Sequence, residues 1–393
     1  MGIKQRIMAG LLCLLAVPGV RTCRADVAVG ASLPLSGALA SFGAFQRWGY
    51  RRAVAEVNAA GGLPIGGHRE RVRLVIRDDQ SDAVTSARNV ETLIERDRVV
   101  ALLGSCTPAL VNAGALVAER HRVPMVTGCD PHDAFTSVRP WHYVWDMFFD
   151  ESDLAAAPFR ALAAAGVRSD RRVAILHDNG PDGEVVGGRY WPALAPKFGW
   201  HIVASESFPV DNTEFLTFLA RAKAAQADLL LVDATTPQAV SIRKQMAAIA
   251  YLPKALVMEK GAEPEQFATA LGSLADGVLV GGYWNPASKD PGAKALLLAY
   301  ERETHSPGSQ HIADSYTAAQ VLLQAIAAAG SLAPNRINAA VARTNGRFVV
   351  GPVKFDSQHF ARLPIVSMQW QGGKTVIVWP PQSATGRLLY PMH

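Results

Sequence analysis

Ser105 and Thr107 are the first residues whose setting suggests chemistry. They stand in the loop 104–108, between the apolar run Val-Val-Ala-Leu-Leu (99–103) and a helix-like stretch that begins at Pro108. The first turn of a helix leaves backbone N–H groups without intrahelical partners, and the helix dipole adds partial positive charge there. A carboxylate suits such a place, and the two hydroxyls can add donors. The same side chains could instead cap the helix, as Ser and Thr often do. Pro108 lacks an N–H and removes one donor from the anion site. Cys106 lies between them, and Cys129 follows a second apolar run, 123–126. If the two runs are neighbouring strands, the thiols can form a disulfide in an oxidising compartment; otherwise they stay free and buried.

Bond-making chemistry finds less support. The chain has no Gly-x-Ser-x-Gly elbow, no phosphate-binding loop and no His-Glu-x-x-His motif. His177 and Asp178 could be two members of a triad, but neighbours along a strand point to opposite faces. No serine is marked as their nucleophile. The ten histidines show no metal-ligand spacing. The expectation is binding without catalysis, metal or cofactor.

The elements that position these residues follow from hydrophobic periodicity. Strand-like runs at 27–33, 72–78, 99–103, 123–126, 172–177, 201–209, 229–233, 255–258 and 277–281 alternate with helical stretches. Those stretches are 44–58, 84–96, 108–119, 154–165, 183–198, 215–224, 237–249 and 264–271. Strands separated by such helices indicate parallel sheets of right-handed βαβ units. So many units favour two sheets over one. Helices are expected at 313–329 and 332–345, then strands at 351–355, 365–371 and 374–379, the last two forming a hairpin at Gly372-Gly373.

The first 25 residues read as a signal peptide. Lys4 and Arg6 precede an apolar run over 7–17, and Cys23-Arg24-Ala25 ends in a small residue. The run is too short to span a bilayer, and cleavage is expected after Ala25. Cys23 would make a lipoprotein only behind a poor Arg21-Thr22 approach. Cleavage would remove four of the 39 bases, leaving 35 against 34 acids. That balance gives no motive for a nucleic-acid or acidic-membrane partner. No later segment is expected to enter a membrane.

Eight motifs stand in order along the chain. They are Ser-Leu-Pro-Leu-Ser-Gly (32–37), Phe42-Gly43, Ala-Glu-Val-Asn-Ala-Ala-Gly-Gly (55–62) and Arg-Asp-Asp-Gln (77–80), then Leu-Leu-Gly-Ser-Cys-Thr-Pro (102–108). His-Asp-Asn-Gly-Pro-Asp-Gly (177–183), then Asp-Gly-Val-Leu-Val (276–280) and Gly-Pro-Val-Lys-Phe-Asp (351–356), complete the series. On these motifs the chain resembles the type I periplasmic binding proteins of the leucine/isoleucine/valine-binding class, which serve ABC importers. The resemblance implies an α/β fold with two doubly wound parallel-sheet lobes joined by a three-segment hinge. Lobe one would hold 26–146 and 286–350, and lobe two 147–285 and 351–393. The crossings are expected near 145–149, 283–286 and 350–352. Ligands of such sheets bind beyond the carboxyl ends of the strands, and closure is a hinge motion.

The resemblance also implies a ligand set. Ser105, Cys106 and Thr107 would face the loop 127–131, with Thr127, Cys129 and Asp130 as candidates. Asp130 could meet a ligand ammonium or form an Asx turn. Phe42 falls where the family often lays an aromatic over the ligand. Trp284 and, less strongly, Trp145 stand at the crossings, where they could stack on a ligand or pack the hinge. Asp182 replaces an aromatic common in relatives. Lys260 falls in register with the acid that holds the amino group of amino acids, and Glu259 stands beside it. Glu259 in the cleft would suit an α-amino group, and Lys260 an anionic group. Tyr316 matches a family pocket tyrosine. The implied function is capture of a small carboxylate, an amino acid or an aromatic or other small acid, by a monomeric periplasmic protein that docks on a membrane permease. A ligand-sensing partner of a signalling receptor would use the same cleft, and gene neighbourhood would separate the two.

Overall fold

A computed structural model describes residues 26–306 and 308–392; the signal-peptide assignment to residues 1–25 lies outside the described residues. The strands, in chain order, are β1 (Val27–Leu33), β2 (Leu63–Ile65), β3 (His68–Glu70), β4 (Val72–Asp78), β5 (Ala101–Leu103), β6 (Met125–Thr127), β7 (Val144–Phe148), β8 (Arg172–Asp178), β9 (His201–Phe208), β10 (Leu229–Ala234), β11 (Ala255–Lys260), β12 (Val278–Gly282), β13 (Asn345–Phe348), β14 (Gly351–Lys354), β15 (Phe360–Arg362), β16 (Val366–Gln371) and β17 (Lys374–Trp379). They build two large sheets. The first, in the order β15-β7-β6-β5-β1-β4, is parallel throughout. The second runs β17-β16-β12-β11-β10-β8-β9, parallel except for the terminal hairpin β16-β17 and its pairing with β12.

The second sheet shows why continuous apolar runs make central strands. Leu229 and Leu231 pack with Phe159, Trp191 and Trp200 on one face. Leu230 and Val232, one residue out of phase, pack with Phe218, Phe267 and Trp370 on the other. A strand covered by helices on both faces must be apolar at every position. Each fully buried Leu or Val contributes roughly 1.5–3 kcal/mol relative to exposure. The edge strand β9 is exposed at most of its positions.

Three passages connect the sheets: from β7 into the helix Glu151–Ala164, from β12 towards the helix Ala293–Thr304, and from β15 to β16. The third corrects the expected crossing at 350–352. β14 pairs with β13 as a separate hairpin, and β15 lies parallel to β7 at the edge of the first sheet. Phe360 is buried there against Phe135 and His132, so residues 351–362 do not belong with the second sheet. The expected helix 332–345 is also shorter, Pro334–Val341, because β13 begins at Asn345. The expected helix over 183–198 breaks into a short turn, a π-helical segment Glu184–Tyr190 and two further turns. Pro192 and Pro196 each remove a helical donor within it. A Cβ on Gly187 would lie 2.3 Å from the Cβ of His177, so glycine alone lets this segment rest on β8.

Candidate functional site

β5 and β6 are neighbours in register, Leu102 beside Met125 and Leu103 beside Val126. Their carboxyl ends therefore release the loops after Leu103 and Thr127 side by side. Cys106 and Cys129 are joined by a disulfide across these loops, with their Cα atoms 4.9 Å apart. The Thr107 N–H donates to the Cys129 carbonyl at 3.2 Å. Gly104 permits this approach: a Cβ there would lie 2.4 Å from Thr127 Oγ1.

Ser105 is a correction to the expected anion site. Its Oγ donates to Asp79 Oδ2 at 2.9 Å, and its carbonyl accepts from Gln46 Nε2 at 2.8 Å. A hydroxyl has one proton to give, and a neighbouring carboxylate repels a second anion. Thr107 remains half-buried, at a φ of 73°, and makes no side-chain cap to the helix Pro108–His121. Thr127 Oγ1 is buried without a hydrogen-bond partner among the described residues.

Asp130 is fully buried, and neither carboxylate oxygen has a hydrogen-bond partner of good geometry among the described residues. Burial raises its pKa well above the usual carboxylate range; Asp182 and Glu151 raise it further, and Asn112 opposes them weakly. Asp182 comes from the other lobe, in the turn Pro181–Gly183 after β8. Its pKa is pushed up to about 6 by burial, against the pull of Lys260. The same residue interacts with His311 of the first lobe. Asp182 thus bears electrostatically on Asp130 of the first lobe, while its own charge is countered chiefly by Lys260.

The choice between Glu259 and Lys260 is decided by strand alternation. Lys260, the last residue of β11, reaches Asp178 Oδ2 at 2.8 Å and Asp233 Oδ1 at 3.1 Å, at the carboxyl ends of β8 and β10. Burial works against its charge, but Asp233, Asp182 and Asp178 outweigh that and raise its pKa. Glu259 points to the other side, where Oε2 accepts from the Gly281 N–H at 2.9 Å. Burial pushes its pKa up to about 8. Glu259 is therefore a buried core acid and not a cleft ligand.

The remaining aromatic candidates separate. Phe42 stands edge-on to His311 at 4.9 Å, beside the lobe-one loops. Trp284 is buried with Nε1 unpaired among the described residues. Trp145 stacks on His359 at 3.5 Å and donates to Asn338, which makes it a packing residue. Tyr316 is a second correction. Its hydroxyl donates to Glu56 at 2.5 Å, and it lines an outer pocket of about 450 Å³ with Arg52, Leu296 and Arg347. Glu56 fixes the ring on that side of its helix.

Sequence reasoning missed a buried group at the start of the helix His311–Ala329. His311 Nδ1 lies 2.8 Å from Asp314 Oδ2, and the Tyr283 hydroxyl donates to the same oxygen at 2.5 Å. Glu263, three residues beyond Lys260, accepts from the Gln310 N–H at 2.6 Å and from Ser309 Oγ at 2.7 Å. Burial pulls the His311 pKa down, but Asp314, Glu263 and Asp182 together raise it. The His311-x-x-Asp314 spacing on one helical face was a usable signal; the Glu263 contact, 47 residues away along the chain, was not. His132, Asp133 and Glu151 also approach one another. Arg189 pairs with Asp133, and Arg362 Nη2 lies 2.8 Å from His132 Nε2, so guanidinium groups already meet that cluster's charge.

Two lobes with strand ends and ionisable side chains converging between them define a bilobal binding protein. The periplasmic binding protein family model matches residues 26–374, and the chain belongs to this family, in its type I leucine/isoleucine/valine-binding class. It is 28% identical over 386 residues to Leu/Ile/Val-binding protein homolog 8 of Brucella abortus, covering 93% of each chain. It is 26% identical to homolog 7 of Brucella suis, covering 99% of each. Among solved structures, LivJ of Streptococcus pneumoniae in complex with isoleucine aligns with a TM-score of 0.78 at 22% identity, covering 89% of this chain and 98% of that one. A solute-binding protein of an R. palustris ABC transporter in complex with benzoate gives 0.77 at 20%, covering 94% and 98%. Among the described residues no helix is long and apolar enough to cross a membrane.

Proposed function

We propose that this chain is the extracytoplasmic solute-binding component of an ABC importer. It captures a small organic acid between its lobes, releases it to a membrane permease, and works as a monomer after loss of residues 1–25. The observation that carries the reading is the convergence of polar groups from both lobes on one place. Asp130 and Thr127 come from the first, and Asp182 and the Lys260 cluster from the second. Two relatives of this fold hold isoleucine and benzoate, which supports a small carboxylate as cargo. With Ser105 engaged by Asp79, the donors for that carboxylate are Thr107 and Thr127, assisted by Phe42 and Trp284 as apolar walls. In this reading the solute leaves unchanged.

The test is a thermal-shift screen of amino acids and aromatic acids on the mature protein. A solute bound by the folded state alone raises its melting temperature with concentration. A screen in which no small organic acid moves the melt would end this reading.

A further inference from the structure

Polar contacts pass directly from one lobe to the other at two places. At the first, Asp133 of the helix His132–Val138 accepts from Arg189 and from the Tyr190 hydroxyl, both in the π-helical segment of the second lobe. The buried Glu151 carboxyl sets the backbone beneath it, accepting from the N–H groups of Asp133 and Ala134 at 2.8 and 3.1 Å. At the second, Glu263 in the turn after β11 accepts from the Gln310 N–H at 2.6 Å and from Ser309 Oγ at 2.7 Å. Glu265 accepts from the Gly308 N–H at 3.2 Å. Ser309 and Gln310 are buried and lead into the first-lobe helix His311–Ala329. The two places flank the Lys260 group, which ties the adjacent ends of β8, β10 and β11. One springs from the segment after β8, the other from the turn after β11.

Resting on the solute-binding reading, we infer that these contacts form a two-point clamp that brings the lobes together without solute, and that Asp133 and Glu263 are positioning residues for binding. Each contact joins protein groups only, so none requires a solute to complete it. A carboxylate accepting N–H groups at such distances makes stronger bonds than a neutral acceptor does. The Glu263 arm is therefore the stronger one. The Arg189 pair adds less, since that side chain is 56% exposed. A site assembled only when the lobes meet binds in proportion to the fraction of molecules already closed. Loss of the clamp therefore weakens every solute by one common factor. A residue that touches the solute would weaken some solutes far more than others.

The test is small-angle X-ray scattering of the mature protein, freed of carried-over solute by refolding from guanidinium and checked by mass spectrometry. The parent should scatter as a compact, closed particle. The double variant Asp133→Ala/Glu263→Ala should have a larger radius of gyration. Calorimetry with leucine, phenylalanine and benzoate should then show those that bind the parent losing the same factor in the variant, roughly 10-fold, with faster release. Glu263→Gln keeps an acceptor oxygen and should recover most of what Glu263→Ala loses. That single pair of variants carries the comparison if the double variant folds poorly. A solute-free parent as open as the double variant, or losses that differ widely between solutes, would overturn the clamp and leave the solute-binding reading standing. If none of the three compounds binds and the thermal-shift screen is also silent, that reading falls, while the scattering still decides whether the lobes close unaided.

Discussion

The two halves of the cleft handle charge in opposite ways. In the second lobe Lys260 gathers Asp178, Asp233 and Asp182, and the group is nearly self-sufficient. In the first lobe a disulfide and a backbone bond hold two loops together, yet neither oxygen of the buried Asp130 has a hydrogen-bond partner of good geometry among the described residues, and Asn112 is only a weak neighbour. The difference separates preorganisation from recognition. A charge already satisfied within its lobe shapes the wall, whereas an unsatisfied one waits for something to arrive. Residue type alone does not distinguish them, since Asp178 at the end of β8 and Asp130 in the loop after β6 are the same residue.

Breaking the self-sufficient half should have the largest effect. Lys260→Ala leaves three acids crowded and unpaired, and chemical denaturation should show a loss of roughly 3–5 kcal/mol. A loss below about 1 kcal/mol would mean that those acids find other partners or hold protons at little cost. Glu259 sharpens the same contrast from the core side. Its folded carboxyl keeps the proton to about pH 8, whereas the ordinary value is 4.5. Stability should therefore fall as pH rises between those values, by on the order of 5 kcal/mol, and stay level outside them. E259Q should abolish that slope while keeping the stability seen at pH 5.

The first lobe responds to different changes. Replacing both Cys106 and Cys129 by Ser should cost about 3 kcal/mol in the melt. It should also weaken solute binding, because the loops bearing Thr107 and Asp130 would no longer be tied. Unchanged affinity in that variant would show that the β5-β6 register alone aligns them. The smallest effect is expected at Thr107. It caps nothing in the helix that follows, so Thr107→Ala should change stability by less than about 0.5 kcal/mol. A loss of about 1 kcal/mol would restore the capping role that its position suggested.

Legibility differed along the chain for physical reasons. The central strands β8, β10, β11 and β12 could be read directly, since burial on both faces demands unbroken apolar runs. The edges were harder. β15 is three residues long and takes its place only by pairing with β7, some 215 residues earlier. Ser105, Thr107, Cys106, Cys129 and Asp130 could all be found at the loops after β5 and β6. Their individual roles could not, because Asp79 claims Ser105 and Glu56 claims Tyr316 through contacts that no local pattern records.

By itself, the sequence determined the alternating α/β architecture, the division into two sheets and the loops that meet between them. These follow from periodicity and from where glycine, proline and apolar runs fall, all local properties of the chain. Only the tertiary structure decided which charges are spent and which are free. That Lys260 is held, Glu259 sequestered, Ser105 engaged and Asp130 left with only a weak Asn112 neighbour depends on groups brought together by the fold, up to 82 residues apart. Electrostatic satisfaction is a property of distance in space, and folding alone sets those distances.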